Sequence, residues 1–181
     1  VKNISSLTHA HPISVLGCLI YTNFVCHLLG GDNPKEAYRK TQLDDYSMFE
    51  KEEITLYSRI LKNQIYCYPK GYIPSRAYVV DTLEAVLWSF LTTDNFQDAV
   101  LTAVNLGDDT DTVGALTGSL AGIQYGLKSI PEKWATTLKR GRYLIKLCDQ
   151  FAETEIDTTD IAPESTSIPR FESIGLNRLG A

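Results

Sequence analysis

The 181 residues are 44% apolar and 22% charged, with a formal net charge of -5, a profile that fits a globular protein able to bury one sizeable core. That acidic balance argues against a nucleic-acid partner, which calls for basic surface. No uninterrupted apolar run approaches the roughly 18 residues of a bilayer span, and Val1-Lys2-Asn3-Ile4 has no secretory signal pattern. No membrane association and a cytoplasmic location are therefore expected.

The segment from Ile13 to Leu29 is apolar on most sides and closes on Gly30-Gly31, predicting a buried helix with a glycine C-cap. Asp32-Asn33-Pro34 supplies a cap and a first-turn proline for a short helix through about Lys40. Ser47-Met48-Phe49-Glu50 forms the pattern of a capping box opening another helix that runs to about Leu61. From Tyr66 to Tyr78, Pro69, Gly71 and Pro74 interrupt a series of tyrosines, which excludes a continuous helix and predicts a structured loop of the kind that carries binding residues.

Asp81-Thr82-Leu83-Glu84 predicts a further capping box, followed by Leu83, Val86, Leu87, Phe90 and Leu91 at helical spacing. Thr93-Asp94 ends that helix and starts the next, which runs to near Gly107. Beyond it, Gly114, Gly118, Gly122 and Gly126 recur every fourth residue. Each interior glycine costs about 1 kcal/mol relative to alanine, so the stripe predicts close approach by another element. Ser129-Ile130-Pro131-Glu132 caps a last amphipathic helix reaching about Phe151, and after Glu155 the chain turns rich in Thr, Pro, Ser and Asp. The organisation expected is an all-α domain over residues 1–154 and a tail or linker over 155–181. Cys18, Cys26, Cys67 and Cys148 form no Cys-x-x-Cys pair and are expected to be buried, reduced thiols.

Gly107-Asp108-Asp109-Thr110-Asp111-Thr112 packs three carboxylates and two hydroxyls into the turn before the glycine-striped helix. Hard oxygen donors at this density suit Mg²⁺, Mn²⁺ or Ca²⁺. The competing reading is that the acids cap the helix and complement its dipole, for which one or two would suffice. An EF-hand is excluded, because counting from Asp109 the positions that need an acidic residue or Asn and a Glu are Val113 and Leu120. His9 precedes the apolar helix and is open to either a ligand-facing or a hydrogen-bonding role, and His27 on an apolar helix reads as structural. Tyr78 and its neighbours serve either nucleotide stacking or packing.

Three ordered blocks, Leu7-Thr8-His9-Ala10-His11-Pro12, Tyr78-Val79-Val80-Asp81-Thr82-Leu83-Glu84-Ala85 and Ala103 to Gly114 with its Asp-x-Asp-Thr element, resemble the ADP-ribosylglycohydrolase family. Ile130-Pro131-Glu132-Lys133-Trp134 is similar to a fourth block. Over roughly residues 2 to 150 the resemblance implies the C-terminal half of an all-helical fold like that of dinitrogenase-reductase activating glycohydrolase, with a dinuclear magnesium centre that accepts Mn²⁺. It makes Asp109, Asp111 and Thr112 metal ligands, His9 an ADP-ribose contact and Tyr78 a residue of the nucleotide site. The implied activity is hydrolysis at the ribose anomeric carbon of an ADP-ribosylated protein or small molecule, through an oxocarbenium-like state.

The chain departs from the family pattern in three places. The family's N-terminal half, with its Thr-Asp-Asp metal motif, is not in these residues; the open alternatives are that it lies on a second chain acting as partner, that it was removed, or that it was never included. Arg76-Ala77 stands before Tyr78 where many members have Ser-Gly, and Asp108 stands where relatives often have Gly. The alternative expectation is a noncatalytic helical relative, ADP-ribose-binding or structural in the manner of the crystallins of this family, inactive for want of half the metal site.

Overall fold

The computed structural model describes residues 1–154, and the expected tail at 155–181 lies outside the described residues. The chain divides into two compact units, Val1–Ala135 and a second that begins at Thr136. Among the described residues every regular element is helical, in agreement with the all-α expectation. These are α1 (Lys2–Ser5), α2 (Pro12–Leu29), α3 (Pro34–Leu43), α4 (Lys51–Leu56), α5 (Ser58–Leu61), α6 (Val79–Leu91), α7 (Phe96–Val104), α8 (Thr110–Tyr125), α9 (Glu132–Thr137) and α10 (Gly141–Ala152). Short 3-10 turns occupy Ile65–Cys67, Lys70–Tyr72 and Leu127–Ser129.

The first unit is organised around α6, which is buried from Val80 to Leu91 and packs against α2, α7, α8 and the Ile65–Cys67 turn. Phe24 of α2 meets Phe90 of α6 edge to face, with ring centroids 5.9 Å apart. Each ring buried in this way contributes about 2–3 kcal/mol, and the edge-to-face contact adds about 1 kcal/mol. Tyr38 of α3 is 2% exposed, and its single hydroxyl proton is shared between the carbonyls of Ile60 (2.6 Å) and Asn63 (2.9 Å), so a core ring also closes the end of α5. α7 and α8 run antiparallel, because Gly114 lies opposite Val104 while Gly118 lies opposite Val100.

Several local expectations are corrected. α2 is only half-buried. Leu16, Ile20 and Phe24 are fully enclosed, but Cys18, Cys26 and Leu29 on the other face are exposed. All four cysteines are exposed, because the tendency of a thiol to be buried acts only where a partner covers its face. α2 also has 18 residues at a mean hydropathy of 1.6, long and apolar enough by composition to cross a membrane. Its packed face makes it a core helix of this unit.

Helix starts shift as well. The box expected at Ser47 is found three residues later, where Glu50 and Glu53 exchange side-chain and backbone bonds, and the helix breaks at Tyr57 before α5. Asp81 and Glu84 do not form a capping box; α6 begins at Val79 after Tyr78, and both acids pair with arginines instead. The last helix is interrupted, since Arg140 adopts a left-handed conformation (φ +60°) between α9 and α10. Of the glycine stripe, Gly114 and Gly118 face α7 closely, Gly122 meets nothing within 4 Å, and Gly126 (φ +78°) ends the helix.

Close approach is tightest at Gly17 in α2, where an added Cβ would lie 2.6 Å from the Tyr57 hydroxyl and 2.9 Å from Val79 Cγ2. The Tyr57 ring is fully buried and its hydroxyl donates to the Ile13 carbonyl at 2.7 Å, so it cannot retreat cheaply. Gly17→Ala should destabilise the fold by about 2 kcal/mol despite the better helix propensity. Gly122→Ala, in open space, should stabilise it by up to about 1 kcal/mol. Urea unfolding of the two variants checks both signs.

Candidate metal and nucleotide site

The turn between α7 and α8 is made by Gly107 (φ +94°) and Asp108 (φ +51°). Aspartate enters the left-handed region more readily than most residues, which explains how Asp108 stands where the family pattern often has Gly. Asp109 is the N-cap of α8, yet its side chain makes no capping bond to the helix amides. Its Oδ1 accepts instead from the Thr112 hydroxyl at 2.8 Å. Asp109 is half-buried, whereas Asp111 and Thr112 are exposed. Among the described residues none of Asp108, Asp109 and Asp111 has an ion-pair partner.

This turn is fastened to the tyrosine-rich loop. The Asp109 amide donates to the Ser75 carbonyl at 3.0 Å, the Ser75 hydroxyl donates to Asp108 Oδ2 at 3.5 Å, and Lys70 Nζ reaches the Asn105 carbonyl at 3.2 Å. The loop ends at Tyr78, which is 44% exposed and precedes the first turn of α6. Tyr78 therefore lies on the same loop as the Ser75 latch, three residues along the chain. His9 is exposed and its Nδ1 lies 3.1 Å from the Thr8 hydroxyl; among the described residues no hydrogen bond or ion pair joins it to the acidic turn. His11 caps α2 by accepting from the Ile13 amide at 3.3 Å. His27 is structural as read, 3.1 Å from an Asp44 carboxylate oxygen.

Beside Tyr78 opens a cavity of about 470 Å³ lined by Arg59, Tyr72, Arg76, Tyr78, Asp81 and Glu84 among others. Tyr72 and Tyr78 present exposed rings at it. Its acids are matched by arginines: Arg76 Nε donates to Asp81 at 2.9 Å, and Arg59 Nη1 lies 3.3 Å from Glu84 Oε2. Arg59, Tyr72 and Glu84 are missing from the sequence-based site. The available signal was Glu84 itself, an acid within the apolar run Leu83–Leu91, since a charge buried there requires a cation.

The donors of the acidic turn suit a hard cation, being two carboxylates and a hydroxyl. Their number is short of the six oxygens Mg²⁺ takes, and among the described residues no three or more His, Cys, Asp or Glu side chains gather to hold a metal. The turn thus fits part of a coordination shell.

Comparison with known proteins gives this arrangement a context. The family model described as ADP-ribosylglycohydrolase matches residues 1–160. An ADP-ribosylarginine hydrolase, Tri1, of Serratia proteamaculans is 35% identical over 149 residues, 81% of this chain and 38% of that protein. The ADP-ribosyl-[dinitrogen reductase] glycohydrolase of Rhodospirillum rubrum is 38% identical over 132 residues, 73% of this chain and 40% of that protein. The ADP-ribosylhydrolase ARH3 of Mus musculus is 31% identical over 65 residues, 36% of this chain and 15% of its own length. The chain thus spans about two fifths of the first two relatives.

Glu84 is 3% exposed, and burial pushes its carboxyl above the usual range, with Arg59 pulling it back and the Asp81 charge adding to the rise. A carboxyl whose pKa rises on folding contributes stability that is full below its unfolded pKa and is lost as pH rises through the folded value. Relative to Glu84→Gln, which cannot titrate, the unaltered chain should therefore lose stability as pH rises beyond the ordinary glutamate range. Urea unfolding of both proteins from within that range to above it checks the sign, and a stability difference independent of pH contradicts it.

Proposed function

The chain belongs to the ADP-ribosylglycohydrolase family, and from that premise we propose that it forms part of the active site of a magnesium-dependent hydrolase. The substrate is an ADP-ribosylated protein or another ADP-ribosyl compound, and the reaction takes place in the cytoplasm. The observation that carries the reading is the latch between the acidic turn and the tyrosine loop, through the Asp109 amide and the Ser75 carbonyl. It sets a hard-donor cluster next to a loop whose rings line a cavity, the two needs of a ligand that joins a ribose to a nucleotide.

In this reading Asp109, Asp111 and Thr112 hold Mg²⁺, with Mn²⁺ as a substitute. Bound metal supplies orientation of ribose hydroxyls, charge stabilisation and a more nucleophilic water. Asp109 and Asp111 contribute the negative charge. Thr112 can keep its 2.8 Å hydrogen bond to Asp109 and still offer an oxygen lone pair, because a hydroxyl donates once and accepts twice. Tyr78 offers a ring face for a base to stack on, and His9 contacts ADP-ribose. The remaining metal donors come from water, substrate and residues outside the acidic turn, with a second polypeptide carrying the rest of the fold as one source.

A noncatalytic relative is the second reading, favoured by the lack of a three-acid metal cluster among the described residues. Native mass spectrometry with Mn²⁺ separates the two. Bound Mn²⁺, with or without a partner chain, supports the hydrolase, and a chain that takes up no Mn²⁺ supports the noncatalytic form.

In the active assembly, Asp111→Ala should lower release of ADP-ribose from ADP-ribosylarginine by more than about 100-fold at saturating Mg²⁺, beyond the loss typical of a residue that only supports a metal ligand. Unchanged turnover removes Asp111 from the ligand set. His9→Ala should weaken ADP-ribose binding about 10-fold, or about 1.4 kcal/mol, with Mn²⁺ affinity intact. Calorimetry showing parallel loss of both would make His9 a structural residue.

A further inference from the structure

Burying an ion pair is seldom the most stable way to fill a core, since well-packed apolar residues of similar volume serve as well or better. The first unit nevertheless pairs a buried Glu84 with a partly exposed Arg59 in the lining of the cavity of about 470 Å³. The Glu84 side chain is 4% exposed and meets Arg59 Nη1 at 3.3 Å. Two further contacts hold the Arg59 guanidinium, although its buried Nε has no hydrogen-bond partner among the described residues. Its Nη2 donates to the Tyr72 carbonyl at 2.8 Å, and its carbon lies 4.5 Å from the centroid of the Tyr68 ring.

One side chain on α5 thus holds the loop at two points, and the buried carboxylate of α6 holds that side chain. Trp88 of α6 adds a third fixing, donating from Nε1 to the Tyr68 carbonyl at 2.9 Å. Downstream on the same loop stand Tyr72 at the cavity, Ser75 at the latch to Asp109, and Tyr78. An arginine is suited to this work because its planar fork satisfies several partners at once, whereas a lysine ammonium acts as a single point charge.

We propose that Arg59 and Glu84 are a positioning pair for ADP-ribose: Glu84 fixes Arg59, and Arg59 fixes the backbone at Tyr72, so that Tyr72 is held beside Tyr78 in the lining of the cavity. The inference rests on the reading of this loop as the nucleotide site. Neither residue touches the reacting atoms. Their effect is on ligand affinity, and the acidic turn keeps its own donors without them.

The test is ADP-ribose binding to the chain in the presence of Mn²⁺, by calorimetry, with melting temperature and Mn²⁺ affinity measured alongside. The double variant Arg59→Met with Glu84→Leu replaces the pair by apolar residues. It should melt at or above the temperature of the unaltered chain, bind Mn²⁺ equally, and bind ADP-ribose about 10-fold more weakly. Arg59→Lys should retain stability through the charge opposite Glu84 and still lose the affinity, because it cannot also hold the Tyr72 carbonyl.

Undiminished affinity in the double variant, or affinity restored by lysine, overturns the positioning role. Tyr78→Ala tests the underlying reading. If it leaves ADP-ribose binding unchanged, or if the unaltered chain binds no ADP-ribose either alone or in the active assembly, the loop is not a nucleotide site and the inference falls with it. Weakened binding in Tyr78→Ala alongside full binding in the double variant overturns the inference and leaves that reading standing.

Discussion

From Val80 to Leu91 every side chain of α6 is buried, and a helix in that condition has to be enclosed by partners that cover its apolar surface and answer its polar groups. α2, α7 and α8 do the first. Arg59 and Arg76 do the second for Glu84 and Asp81. Because the loop from Tyr66 to Tyr78 leads straight into α6, the demand that α6 be enclosed also fixes the path of the loop. Tyr68 receives the Trp88 indole N–H and Tyr72 receives Arg59. The geometry of the candidate site is inherited from the core.

Close approach extends that order to α2. Gly17 leaves room for the Tyr57 hydroxyl and for Val79, the first residue of α6, while Tyr57 ties the α4–α5 break to the Ile13 carbonyl. Burial holds the Tyr57 hydroxyl well above the usual tyrosine range, so it stays a neutral donor. The α4–α5 corner that bears Arg59 is thereby registered against the start of α6 from two directions, and a glycine in α2 is what permits it.

Much of this was legible in the sequence. Hydrophobic periodicity gave the all-helical class, and capping chemistry located α3, whose Asn33 side chain accepts from the Glu36 amide at 3.1 Å. The acidic turn was visible as a local pile-up of oxygen donors. What sequence could not supply was any relation between distant segments. Glu84 fits a capping box by local pattern, and only the three-dimensional neighbourhood of Arg59, which comes 25 positions earlier in the chain, shows that its charge is matched across the cavity. The cysteines mislead for the same reason, since a helix face is buried by its neighbours and, among the described residues, Cys18 and Cys26 lie on the uncovered face of α2.

The two groups of acids in the first unit differ in how their charge is answered. At the cavity, Asp81 and Glu84 each face an arginine of the same chain, so that region is electrically closed and can admit a ligand on shape and stacking. At the α7–α8 turn, Asp108, Asp109 and Asp111 have no cationic partner among the described residues, although backbone and hydroxyl bonds hold Asp109 in place. Clustered carboxylates that repel one another are tolerated near a surface, where water screens them, and a divalent cation turns that repulsion into attraction. The compensated cavity and the uncompensated turn are joined through the tyrosine loop by the bonds from the Asp109 amide to Ser75, from Ser75 to Asp108 and from Lys70 to Asn105. The proposed ligand would thus meet two different electrostatic settings on one loop, a matched one at the rings and an unmatched one at the acids.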